Sequence, residues 1–154
     1  MKKLIILLIL LFASTAYAAD SCTYKKGGMV KGVRQYTWVL DDNSGAPDGI
    51  TTCSSVPSAP LWGWIVGFKV VPTAANPPDS SYDVELRDTV NAFDFFFGEG
   101  NLLDGTSVTG SGNVDVPVTD AGAYPYLFGE QVYPQAHDMG ATRNQLTVYI
   151  YVKE

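Results

Sequence analysis

Few residues in this chain could do covalent chemistry. The one histidine, His137, sits in Gln135-Ala136-His137-Asp138-Met139-Gly140, and no Gly-x-Ser-x-Gly elbow accompanies it. A Ser-His-Asp or Cys-His hydrolase needs an imidazole to take the nucleophile's proton. His137 reads instead as a turn or surface residue ahead of the last strand, and no catalytic residue is assigned. One histidine and two cysteines do not make a zinc site, which draws on several such ligands. Carboxylates are plentiful, as in any acidic chain, but their spacing does not single out a glycosidase pair. Asp41, Asp42, Asn43 and Asp48 crowd one glycine-containing turn, so Asp41, Asn43 and Asp48 form a weak oxygen set for calcium. The turn lacks the glycine offset and closing glutamate of an EF-hand loop, and turn formation accounts for its residues without a metal. No cofactor is implied. The remaining candidates are aromatic: Trp38, Trp62, Trp64 and nine tyrosines could serve ring stacking on sugars or protein contact. The tryptophans read first as core residues.

The elements that would position these residues begin after an export signal. Met1-Lys2-Lys3, the apolar run Leu4 to Phe12 and the Ala16-Tyr17-Ala18 site form a secretory signal peptide over residues 1–18. The run is shorter than the ~20 apolar residues that span a bilayer, so no membrane span is expected after cleavage. Loss of Lys2 and Lys3 without any acid takes the formal charge from −6 to −8. An acidic chain without a basic cluster is a poor partner for nucleic acid. Residues 19–154 are then one domain, secreted or periplasmic. Two thiols in an oxidising compartment predict a Cys22–Cys53 disulfide.

Strand patterns recur and helical ones do not. Val33 to Leu40 is rich in β-branched and aromatic residues, and Ile50 to Cys53 would return beside it as a hairpin partner. In Trp62 to Val71, Trp62, Trp64, Val66, Phe68 and Val70 alternate with a second set, and Pro72 closes the strand. Tyr82 to Arg87 alternates strictly, with Tyr82, Val84 and Leu86 on the buried face. Phe93, Phe95, Phe96 and Phe97 read as core or edge packing. Gly98 to Gly112 reads as loop, Val114 to Val118 as an edge strand, and Ala123 to Tyr133 is ambiguous. Leu146 to Val152 is a terminal strand whose aliphatic stripe lies opposite Tyr149 and Tyr151, a second face suited to an interface. Short strands separated by Gly, Pro and Asp turns predict an all-β domain, a β-sandwich or small open barrel of antiparallel strands.

Phe68-Lys69-Val70-Val71-Pro72, then Pro78-Asp79-Ser80-Ser81-Tyr82-Asp83-Val84-Glu85-Leu86, the stretches Asp94 to Gly100 and Asn101-Leu102-Leu103, and the turn Met139-Gly140-Ala141 before Leu146 to Val152 together carry a likeness. Across Gly63 to Val152 the chain resembles small β-rich proteins encoded in the structural regions of tailed bacteriophages and prophages. The resemblance implies a virion-associated structural protein with no catalytic residues to carry over. Together with the export signal it leads to a non-catalytic structural or surface-interaction protein, phage- or prophage-associated, whose partner is its own kind or the host envelope. The alternatives are a secreted carbohydrate- or envelope-binding module, with Trp62, Trp64, Tyr149 and Tyr151 as contact residues, and a small secreted hydrolase.

Overall fold

A computed structural model of the chain describes residues 20–43, 50–78, 82–91, 93–95, 125–140 and 143–154. Its strands are β1 (Ser21–Val30), β2 (Val33–Asp42), β3 (Thr51–Thr52), β4 (Leu61–Pro72), β5 (Asp83–Asp88), β6 (Tyr126–Glu130), β7 (Val132–His137) and β8 (Asn144–Lys153). They form a five-stranded sheet in the order β1-β2-β8-β4-β6 and a three-stranded sheet in the order β3-β7-β5. Every pairing is antiparallel. The all-β expectation holds, as a small sandwich or open barrel in which the larger sheet curls. Among the described residues no helix is long and apolar enough to cross a membrane. The 1–18 segment and the Val114 to Val118 strand, the Gly98 to Gly112 loop, Phe96, Phe97 and Asp48 lie outside the described residues.

Period-two alternation does most of the positioning. In β8, Leu146, Val148, Ile150 and Val152 are fully buried, and in β2 the same holds for Trp38 and Leu40, with Tyr36 almost so. From the second sheet Val84, Leu86, Val132 and Ala136 join the same apolar core. Tyr82, Val84 and Leu86 face inward as their alternation predicts.

Two strand expectations are corrected and one open stretch is resolved. Thr51–Thr52 does not return beside β2; it crosses to the second sheet and pairs with β7, because both flanks of β2 are taken by β1 and β8. The ambiguous stretch before Tyr133 resolves into β6 and β7, on different sheets. The second correction lies in β4. Ile65 pairs with Val152 and Gly67 with Tyr151, so Val66 is an extra residue on this strand, a β-bulge. Before it Leu61, Gly63 and Ile65 point inward; after it Phe68, Val70 and Pro72 do. The alternation that joined Trp62 and Trp64 to Phe68 and Val70 is therefore broken at Val66, and the two tryptophans face out. Of the three tryptophans, Trp38 alone is core, its Nε1 donating to the Val56 carbonyl at 3.1 Å.

The Cys22–Cys53 disulfide is formed, with the Cα atoms 5.5 Å apart. It fastens edge strand β1 of the large sheet to the segment leaving β3 of the small one. Disulfides persist in oxidising compartments outside the cytoplasm.

At one end of the large sheet, Arg34 holds Glu154 with Nε to Oε1 at 2.7 Å and Nη2 to Oε2 at 3.1 Å, while the Tyr36 hydroxyl donates to Oε1 at 2.6 Å. These hydrogen bonds, Arg34's first and Tyr36's second, keep the Glu154 carboxyl below its ordinary value. Burial, then the same carboxylate, pushes the Tyr36 phenol up. A depressed carboxyl pKa stabilises the fold at neutral pH, and that contribution is lost as pH falls through the folded-state value. The midpoint of urea unfolding should thus fall between about pH 5 and about pH 3, and Glu154→Gln should flatten that fall. An identical pH profile in the variant would remove Glu154 from the account.

Candidate functional site

The bulge that turns Trp62 and Trp64 outward also sets what they meet. β6 is the edge strand beside β4, and its register pairs Trp62 with Phe128 and Trp64 with Tyr126. Directly opposed residues of an antiparallel pair share a face, so four aromatic side chains form a two-by-two ladder on the outside of the sheet. Trp64 and Tyr126 meet edge to face with centroids 4.8 Å apart, and Tyr126 and Phe128 lie 4.4 Å apart. Burial of the intervening Leu61, Gly63, Ile65 and Leu127 holds this face outward. Relative exposure is 60% at Trp62, 44% at Trp64 and 69% at Phe128. Soluble monomers seldom leave such contiguous apolar surface in water without a use for it.

Two glycines allow the ladder. Gly63, at φ +135°, lies where a Cβ would come within 2.3 Å of the Lys153 carbonyl oxygen, so only glycine lets β4 approach β8 between the two tryptophans. At Gly129 a Cβ would sit 2.7 Å from Cζ2 of Trp62, so the indole lies against bare backbone there.

An open groove of about 580 Å³ runs beside the ladder, lined by Lys26, Trp62, Trp64, Tyr126, Lys153 and Glu154 among others. Lys153 is the register partner of Trp64 across β4 and β8. A second depression of about 400 Å³ continues past Phe128 toward Val90, which is 84% exposed.

Tyr149 and Tyr151 lie on the outer face of β8, the middle strand of the sheet, and are half-buried by their neighbours. Tyr149 is flanked in register by Thr37 and Lys69, Tyr151 by Gln35 and Gly67. They share the outer face with Lys153 and Trp64 but are not part of the ladder. Phe95 is buried, whereas Phe93 is largely exposed and packs edge-on against it at 5.2 Å, so the phenylalanine cluster is only partly core.

The other candidates are engaged elsewhere. His137 is the last residue of β7, half-buried, with Nε2 3.4 Å from Glu85 Oε2. Burial works to raise the Glu85 carboxyl, but hydrogen bonding and charge from Arg87, with His137, outweigh it and leave the group below its ordinary value. The ring partner of His137 among the described residues is thus a carboxylate that Arg87 already holds, not a hydroxyl or thiol nucleophile. Asp41 pairs with Arg143 at 3.0 Å, and the Asn43 backbone N–H donates to Asp20 Oδ1 at 3.2 Å. Among the described residues no three His, Cys, Asp or Glu side chains converge as a metal site.

Sequence reasoning named half of the ladder and missed Tyr126 and Phe128. Their signal was the alternation of Tyr126 and Phe128 against Leu127, obscured by the glycine that follows. No family model matches this chain, and neither a curated protein nor a solved structure matches it.

Proposed function

We propose that the protein is an exported, non-catalytic surface-interaction protein, phage- or prophage-associated, that works by contact through the Trp62–Trp64–Tyr126–Phe128 ladder. The observation that carries this reading is the ladder itself: large rings, set outward by a bulge, on strands whose opposite face supplies the core residues Leu61, Ile65 and Leu127. Aromatic residues of this kind supply most of the energy at binding surfaces. The signal-like residues 1–18 and the disulfide support a working place outside the cytoplasm. In keeping with a contact role, His137 lies against Glu85 and Asp41 pairs with Arg143, rather than both being gathered in a cleft.

The test is a Trp62→Ser, Phe128→Ser double variant of the mature protein. Wild type is expected to co-sediment with bacterial envelope fractions or to self-associate in analytical ultracentrifugation. The variant should do neither while keeping its melting temperature within a few degrees, as exposed positions allow. Unchanged association in a folded variant would remove the ladder from the function.

A further inference from the structure

The groove beside the ladder differs in charge from the rest of the molecule. The chain as a whole is acidic, with a formal charge of −6. Yet Lys26 and Lys153 both line this groove, and neither is in an ion pair among the described residues. The carboxylate that lines it with them, Glu154, is already bound by Arg34 and Tyr36. Two ammonium groups thus border exposed indoles, and Lys26 acts on Glu154 through charge alone. Trp62 and Trp64, two residues apart on one strand face, have Cα atoms separated by about 7 Å. That spacing lets neighbouring rings of one sugar chain meet neighbouring indoles.

We propose that this groove binds an acidic polysaccharide, the indoles of Trp62 and Trp64 packing on sugar-ring faces and Lys26 and Lys153 pairing with its carboxylates. The inference rests on the reading of the ladder as the contact surface and names what contacts it. Ring faces of sugars are apolar C–H surfaces, suited to indole, and the acid groups of such a chain suit lysine ammonium groups. A second copy of the chain is a poorer occupant. A two-fold contact would set ladder against ladder, bringing the lysines of one groove toward those of the other.

Affinity gel electrophoresis tests it with polygalacturonate and with the same polymer fully methyl-esterified, which keeps the sugar and removes the charge. Wild type should be retarded by polygalacturonate, less so as salt rises, and several-fold less by the ester. Trp62→Ala and Trp64→Ala should each weaken retardation about tenfold. A Lys26→Gln, Lys153→Gln double variant should lose the preference for the acid form while retaining its melting temperature. Equal retardation by both polymers overturns the acidic-ligand inference and leaves the contact surface standing. So does retardation by neither polymer combined with self-association that the tryptophan variants abolish. Retardation by polygalacturonate that survives both tryptophan substitutions overturns the inference and the contact reading together.

Discussion

A Cys22→Ala, Cys53→Ala variant is expected to lose about 3–4 kcal/mol of unfolding free energy and on the order of 10 °C in melting temperature. The bridge spans a sequence separation of 31 residues, and closing a loop of that length restricts the unfolded chain by about this amount. The structural setting adds a reason for a large effect. β1 is an edge strand with one partner, β2, and its register is interrupted between Lys26 and Met29. β3 is two residues long. The disulfide ties these two weakly held elements together and links the two sheets. For a domain whose total stability is of the order of 5–15 kcal/mol, such a loss is a large fraction. Urea unfolding of wild type and variant under non-reducing conditions decides it. A difference below about 1 kcal/mol would mean that the bridge is incidental to the fold.

The second large effect separates tryptophans that look alike in sequence. Trp38→Ala should cost about 3–5 kcal/mol, because the indole is fully buried, meets the Tyr24 ring at a tilt with centroids 4.9 Å apart and donates to the Val56 carbonyl. Trp62→Ala should cost about 1 kcal/mol or less, since that ring is 60% exposed and loses mainly a cross-strand contact. Equilibrium unfolding of the two single variants measures both numbers. Comparable large losses at the two positions would place Trp62 in the core and refute the bulge at Val66.

That contrast marks what could be read from sequence. β2, β5 and β8 were legible because their alternation is unbroken and each buries one face. β1 was not, since Lys25-Lys26-Gly27-Gly28 is poor strand sequence. It forms because β2 offers it an edge and Cys22 anchors its start. The β4 strand was legible but its facing was not. A bulge is a property of two strands in register, and nothing in Ile65-Val66-Gly67 alone says that Val66 is the residue skipped. The partners Tyr126 and Phe128 lie more than sixty positions along the chain from the tryptophans they meet, so their pairing is tertiary information. The disulfide was legible because two cysteines allow one pairing.

Hydroxyl-radical footprinting reads residue by residue which face of the sheet touches a partner. Mature protein is labelled free and bound to envelope fractions, and the side-chain oxidation of each aromatic residue is compared by mass spectrometry. Trp62, Trp64 and Phe128, all exposed in the free protein, are expected to become protected on binding. Protection that leaves those three rings as reactive as in the free protein, and falls instead on Tyr149 and Tyr151 alone, would contradict this expectation.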